Sequence, residues 1–399
     1  MTAFHLHHTR QRSKLILLFP WIALSCLFLW LCSIVVFLYG VKDPISLGLF
    51  YHQEKFWDSK VLHVVLTRFM QDQPNLVHLA RARLLLFQTV CLPSMIQQST
   101  SQFLWIILTD PNLDLEIRRT LCEIVKPYPN FIILGTNRQI QGETFRSSLG
   151  QHFLQVPLFS GSIVKLRQAY LIRDSIPLLQ TRLDADDALH KDFLELLQLE
   201  ALKLFYSEKR ENLRSLGDKN SDVQWYFWCT QRHVEWYANS DIWNTVEHSR
   251  LCVTPGLTVG MAPTSTFFRS SPPLDLAHDV LFKTLLATSP DCGIAPCIRM
   301  IHELPLGAVR TRTWTSAGMM NILLPNQTST KSRSSQESIQ KLCHLYFGIE
   351  SLQPVQTYLQ THLVEIAEDN LKGQCTPGHS CKEKSAQTLQ KLISKGERR

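Results

Sequence analysis

Through the first half of the chain, apolar runs of strand length alternate with stretches of helical spacing. Val61 to Leu66 is a short β-rich run, Leu76 to Val90 has helical spacing with Arg81 and Arg83 on its polar side, and Phe103 to Leu108 reads again as a strand. Leu113 to Val125 then reads as helix, Phe131 to Leu134 as extended chain, Ile163 to Ile172 as helix and Leu178 to Leu183 as extended chain. Strands alternating with helices predict an α/β fold with a mostly parallel sheet, whose ligands gather at the carboxyl ends of the strands. By that rule Thr67-Arg68, Thr109-Asp110 and Asp184 to Asp187 face one crevice.

The second half is less regular. Ser207 to Asp222 is charged and reads as a surface loop. Trp225, Trp228, Trp236 and Trp243, with Tyr226, Phe227 and Tyr237, form an aromatic-rich region. Such rings either stack on a sugar or, more commonly, fill strand faces in a core. From Asn326 to Ser338 a Ser/Thr/Gln/Asn bias predicts a linker, followed by a helical segment near Ile339 to Leu371 and a basic tail.

At the other end, no charged residue occurs from Leu15 to Val41, which exceeds the ~20 apolar residues that span a bilayer as a helix. Arg10, Arg12 and Lys14 precede the run and only Lys42 follows closely, so the positive-inside rule predicts a type II signal anchor with the rest of the chain across the membrane. A cleaved signal peptide would have a shorter apolar core ending in small residues. The expected organisation is a cytoplasmic tail (1–14), an anchor (15–41), a stem (42–60), a catalytic domain (61–320) and a C-terminal linker, helical segment and basic tail (321–399).

Charge narrows the partners. The formal +7 is concentrated at the ends: the N-terminal tail carries three basic residues, and from Lys372 onward seven Lys/Arg face two Glu. The region between is about neutral, which excludes the footprint of a nucleic-acid binder. Of 11 cysteines, Cys26 and Cys32 lie in the apolar run. Cys292 with Cys297, and Cys375 with Cys381, are spaced for local disulfides in an oxidising lumen, and no pairs have zinc spacing. Asn326-Gln327-Thr328 is an N-glycosylation acceptor if this side is luminal.

The most informative chemistry is Asp184-Ala185-Asp186-Asp187, directly after a predicted strand. Clustered carboxylates repel one another and lose hydration, so a buried strand end rarely carries them unless a cation gathers them. A solvated acidic turn or helix N-cap is the alternative.

Thr67-Arg68-Phe69, the stretch Leu86 to Ser94 followed by Gln97 to Trp105, and above all Thr181-Arg182-Leu183-Asp184-Ala185-Asp186-Asp187-Ala188-Leu189-His190 resemble the putative rhamnosyltransferase family, over roughly Val61 to Gly318. Ala185 stands where Asn is frequent in that family. The resemblance implies a glycosyltransferase with a GT-A-like, Rossmann-type sheet, a nucleotide-sugar donor and a metal-binding D-x-D. It implies that a histidine from the C-terminal half closes the metal site, for which His302 is the best-placed candidate. A lone histidine on an apolar strand is otherwise structural.

The chemistry follows from the reaction class. Sugar transfer from a nucleotide donor develops negative charge on the leaving diphosphate, which Mn²⁺ or Mg²⁺ stabilises as a Lewis acid. Asp186 and Asp187 are the expected ligands, and Asp184 binds the ribose or the donor sugar. Arg68 and Arg182 at strand ends, with Arg310 and Arg312, are expected phosphate partners. Asp110 either accepts from the base or ribose or closes an ordinary Asp-Pro turn. An inverting transfer needs a carboxylate base, for which Asp279 is the first choice and Asp275 the next. Thr254 to Gly260 reads as a glycine turn beside a substrate or as plain turn chemistry. The acceptor is a glycan or glycoconjugate, and the expected site is the Golgi membrane, with the endoplasmic reticulum or plasma membrane open. Two other classes remain: a non-catalytic membrane-anchored sugar-binding protein, and a metal-dependent phosphohydrolase. The aspartyl-phosphate type of the latter places its motif after the first strand, which this chain does not.

Overall fold

The computed structural model describes residues 59–206, 225–238, 240–248, 251–263, 272–275, 281, 284–285, 298–315 and 333–374. The apolar run 15–41, the charged loop Ser207 to Asp222, Asp279, Asn326, the basic tail and the cysteines expected to pair (Cys292, Cys297, Cys375, Cys381) lie outside them. By contacts, Trp57 to Arg399 is one unit.

Its centre is an eight-stranded sheet. The strands are β1 (Leu62–Phe69), β2 (Leu104–Thr109), β3 (Phe131–Gly135), β4 (Leu158–Ser160), β5 (Leu178–Arg182), β7 (Trp225–Thr230), β10 (Thr258–Met261) and β11 (Ile298–Ile301), in the order β11-β7-β10-β5-β1-β2-β3-β4. β1, β2, β3 and β5 pair in parallel, as do β7 and β11. β10 is antiparallel to both neighbours and β4 to its one neighbour. The mostly parallel α/β sheet expected from the sequence is therefore present, and its strands read as apolar runs because both faces are covered. Along β1 and β2, Val65, Phe69, Trp105 and Ile107 enter one core, while Leu62, Val64, Leu66, Leu104 and Ile106 enter the other.

A second sheet joins β6 (Ala188–Leu189), β8 (Arg232–Tyr237), β9 (Ile242–Glu247) and β12 (Ala308–Arg312) in the order β6-β12-β8-β9. The aromatic-rich region forms β7, β8 and the start of β9, and its rings are buried. They are strand-face and core residues, not an open stacking platform.

Nine helices cover the sheets: α1 (Val77–Leu86), α2 (Leu92–Ile96), α3 (Leu115–Val125), α4 (Ser148–Phe153), α5 (Ile163–Ile172), α6 (Phe193–Phe205), α7 (Arg333–Phe347), α8 (Gln353–Thr361) and α9 (Leu363–Gln374) are those among the described residues. Asp114 Oδ1 caps α3 by accepting from the Glu116 and Ile117 amides, and Ile117, Leu121 and Val125 bury its apolar stripe. Between α1 and α2 the chain widens to a π-helical turn, Phe87–Cys91. Pro93 accounts for it, since it has no N–H to donate and its ring crowds the carbonyl four residues back. Val77–Ile96 is apolar and long enough to cross a membrane, but 61% of its most apolar window is buried inside this fold.

The C-terminal segment differs in detail from the single helical stretch expected. Gly348, at φ 68°, ends α7 with its amide on the His344 carbonyl, and Pro354 sits in the first turn of α8. These helices share the main core through Ile339, Phe347, Val355, Leu359 and Ile366. They also reach the site's scaffold. No residue at the start of α1 caps it by side chain, and Asp369 on α9 accepts from the His78 and Leu79 amides instead (2.9 and 3.3 Å).

Candidate active site

Strand β1 has its sequence successor β2 on one side and β5 on the other, so the strand order reverses between β1 and β5. A crevice opens outside the carboxyl ends of the strands at such a switch point. Register brings the expected segments there: Leu66 lies opposite Arg182, Phe69 opposite Thr109, and the Leu183 amide donates to the Leu66 carbonyl (3.1 Å).

The acidic turn carries the chain from the large sheet into the small one. The Asp187 amide donates to the Asp184 carbonyl (3.1 Å), and β6 begins at once. Asp187 is buried, and its Oδ1 accepts from the Thr311 amide of β12 at 2.9 Å, which locks the turn to the second sheet. Burial raises the Asp187 pKa well above the usual carboxylate range, repulsion from Asp186 and Asp184 adds to it, and Arg310 opposes it. Asp186 is raised by the same order of causes, burial and then Asp184, and here the opposing charge is Arg83.

Arg83, which the sequence reading left on the polar side of a helix, is thus a member of the site. It is half-buried on α1 and donates through Nη2 and Nε to the Thr315 carbonyl (2.7 and 3.2 Å) and through Nη1 to Gln73 Oε1 (2.8 Å). Burial lowers its pKa, Asp186 and Asp184 oppose that, and Arg68 reinforces it. The signal was available: apart from Arg81, which reaches outward to Glu116 (3.0 Å), Arg83 is the one charge in an apolar run, and a charge so placed needs partners.

Arg68 and Arg182 come from adjacent strands and share one face of the sheet. Arg68 is exposed, with Gln139 Oε1 3.4 Å away. Arg182 donates to the Leu274 carbonyl (3.1 Å), and its pKa is lowered first by burial and then by Arg68, with Asp184 opposing. Asp275 follows Leu274, is exposed at this rim and takes Gln141 Nε2 on its carbonyl (2.9 Å). Arg310 is half-exposed on β12, and its charge acts on Asp187.

Three expected residues are engaged by groups of the protein itself, Asp110 in the turn that was one of its two readings. Asp110 is buried, and its two oxygens accept from the Asn112 amide (2.7 Å) and Asn137 Nδ2 (2.8 Å), an Asx turn linking the β2 and β3 ends. Arg312 is buried on the small sheet, where its Nε donates to Glu235 Oε1 at 2.9 Å. His302 is exposed just past β11, three strands from β5, with Nδ1 against Gln231 Oε1. Among the described residues no group of three or more His, Cys, Asp or Glu side chains is arranged to hold a metal. The Gly256 turn is structural: φ is +79°, its amide donates to the Arg182 carbonyl (3.0 Å), and a Cβ would meet the Phe193 ring at 2.7 Å.

Residues 78–153 match the family model described as putative rhamnosyl transferase. This agrees with the resemblance drawn from the sequence, and the matched segment contains Arg83 and Asp110, while the acidic turn lies beyond it. Among solved structures, the crystal structure of S. aureus TarS is similar at 10% identity, covering 84% of this chain and 55% of that one, with a TM-score of 0.30. The chain thus spans about half the length of that structure. S. aureus TarS 1–349 is similar at 10% identity over 84% and 89% of the two chains, with a TM-score of 0.26. Similarity this low carries no functional argument. No curated protein matches.

Proposed function

We propose that the protein is a metal-dependent glycosyltransferase that moves a sugar from a nucleotide-diphosphate donor to a glycan or glycoconjugate, with the diphosphate lying over the carboxyl ends of β1 and β5. The observation that carries this reading is the convergence of Asp184, Asp186 and Asp187 with Arg68, Arg83 and Arg182 at the switch point. A sheet of this order with an acidic turn after β5 supports a GT-A-like architecture.

The arginines act on the leaving group. Arg68 and Arg182 from one face of the sheet, and Arg83 from α1, place fixed positive charge where the diphosphate gains negative charge as the glycosidic bond breaks. Arg83 is held rigidly, so its charge costs no reorganisation. Arg310 stands ready at the other side of the turn.

The donor set fits a divalent cation. Neighbouring carboxylates whose charges repel one another suit a hard cation, and an ion such as Mg²⁺ takes one or two carboxylates and completes its shell with phosphate oxygens and water. Asp184 and Asp186 are the pair we assign to Mn²⁺ or Mg²⁺, which when bound supplies Lewis-acid stabilisation of the leaving diphosphate. Asp187 is assigned to holding the turn, because its Oδ1 is engaged by Thr311. Asp275 on the rim, or Asp279 nearby in sequence, would deprotonate the acceptor in an inverting reaction.

The family name makes rhamnose one donor sugar to try. The uncharged run behind Arg10, Arg12 and Lys14 supports a type II anchor, and the Cys229–Cys252 disulfide supports an oxidising lumen, which together favour the Golgi membrane. Isothermal titration of UDP, GDP and dTDP tests the site: one should bind with Mn²⁺ or Mg²⁺ and be lost in a folded Asp186→Ala variant. Binding of none, or equal binding by the variant, would remove the crevice from consideration.

A further inference from the structure

Three things fix the Arg83 guanidinium: the Thr315 carbonyl (2.7 and 3.2 Å), Gln73 Oε1 (2.8 Å) and the placement of α1, which carries the residue. One face of α9 meets all three, although α9 lies almost 300 residues further along the chain than α1.

Asp369, Asn370 and Gly373 are spaced by one and four residues, which a helix brings to one side. Asp369 Oδ2 accepts from the His78 and Leu79 amides (2.9 and 3.3 Å), so α9 supplies the cap that the start of α1 lacks. Asn370 Nδ2 donates to the Trp314 carbonyl, one residue before the carbonyl that holds Arg83. The Thr313 and Thr315 hydroxyls bond one another (2.6 Å), and the Thr315 amide donates to Thr313 Oγ1 (3.3 Å), so a displacement of Trp314 is passed to Thr315. Gly373 stands against the other partner: a Cβ there would lie 2.6 Å from Gln73 Nε2.

Packing alone would be served by apolar residues, as Ile366 and Ala367 serve it one turn earlier on α9. Asn370 and Thr315 are instead fully buried polar residues, and a satisfied buried hydrogen bond holds one arrangement of the groups it joins.

We propose that α9 is the positioning element of the Arg83 charge, with Asn370 acting through Trp314 and Thr315 and Gly373 acting through Gln73. The consequence for the diphosphate rests on the transfer reaction proposed above; the positioning is a property of the free protein.

The test uses the full-length chain in detergent, labelled with ¹⁵N-arginine, in which the Arg83 Nε–H signal is identified by its loss in Arg83→Met. Asn370→Leu keeps the branched shape and removes the donor. Gly373→Ala adds one methyl against the far ends of the Gln73 and Leu76 side chains, and helix propensity favours it, so this variant should fold. Both should shift the Arg83 signal and speed its exchange with water. Glu368→Ala, on the exposed side of α9, should leave it in place. In calorimetry with UDP, GDP and dTDP in the presence of Mn²⁺, the nucleotide that the wild type binds should bind about threefold to tenfold more weakly to each of the two variants. Neither loss should add to that of Arg83→Met, because all act on one charge. An unmoved Arg83 signal in the folded variants, wild-type affinity in both, or losses that add in full to Arg83→Met would each overturn the proposal. A wild type that binds no nucleotide would remove the transfer reading, and the Arg83 signal would still decide the positioning.

Discussion

Replacing Arg83 by Met should separate the charge at the crevice from the packing of α1. The side chain keeps its length and apolar stem but loses two bonds to the Thr315 carbonyl and one to Gln73. Hydrogen bonds to a charged donor are worth about 1.5–3 kcal/mol each, and two of these share one carbonyl while the residue is half-exposed, so a stability loss of about 2–4 kcal/mol is expected. The lost field matters more for function. One unit charge acting over about 6 Å at an effective dielectric near 20 is worth about 3 kcal/mol, and a neighbouring cation and solvent reduce that to about 1.5–2 kcal/mol on a diphosphate. Nucleoside-diphosphate affinity should then fall about tenfold to thirtyfold. Affinity for Mn²⁺ alone should not fall, because the carboxylates lose a competing cation. Arg83→Lys keeps the charge without the fork and should lie between. Calorimetric titration of the folded variants decides it. Wild-type nucleotide affinity in Arg83→Met, or weaker Mn²⁺ binding, would refute the assignment of Arg83 as a fixed counter-charge.

Three further outcomes are expected from the scaffold. Arg146 is buried and donates to the carbonyls of Arg173, Ile176 and Ala262, so Arg146→Met strands three acceptors and should cost about 3–5 kcal/mol, read as a fall in melting temperature of several degrees. Burial lowers the His63 pKa from 6.5 to about 3, and its Nε2 meets Thr181 Oγ1 at 2.8 Å. The unfolded chain takes up this proton below pH 6.5 while the folded one resists until about 3, so the contribution is intact above 6.5 and is lost as pH falls, by up to about 5 kcal/mol. Urea midpoints between pH 7 and pH 4.5 should drop less in His63→Gln than in wild type; equal slopes would show that His63 is not the proton acceptor. Cys229–Cys252 closes a span of 23 residues, worth about 3 kcal/mol, so a reductant should lower the melting point and a non-reducing digest should yield that linked peptide.

What the sequence disclosed was local. The strands around the site were legible because Val61 to Leu66, Phe103 to Leu108 and Leu178 to Leu183 are buried on both faces and read as unbroken apolar runs. The acidic turn was legible because three carboxylates within four positions after a strand are chemically improbable without a reason. What escaped depends on pairings between distant residues. The insertion of β10 antiparallel between β5 and β7, the bond from Thr311 to Asp187 and the meeting of Cys229 with Cys252 each join segments that no local pattern links. Arg83 was visible as a charge in an apolar helix, but its partner Thr315 lies 232 residues away. The division of the C-terminal helical stretch was within reach, since Gly348 and Pro354 are a stop and a start signal read in order.

The central claim is that the crevice transfers sugar from a nucleotide donor. Its most direct test is metal-dependent nucleotide-diphosphate release from a panel of UDP-, GDP- and dTDP-sugars, dTDP-rhamnose among them, using the full-length chain beside Asp186→Ala with candidate acceptors present. Release from one donor that needs Mn²⁺ or Mg²⁺ and is lost in the folded variant is the predicted result. Equal release by both proteins, or none across the panel, would contradict it and favour a non-catalytic sugar-binding protein.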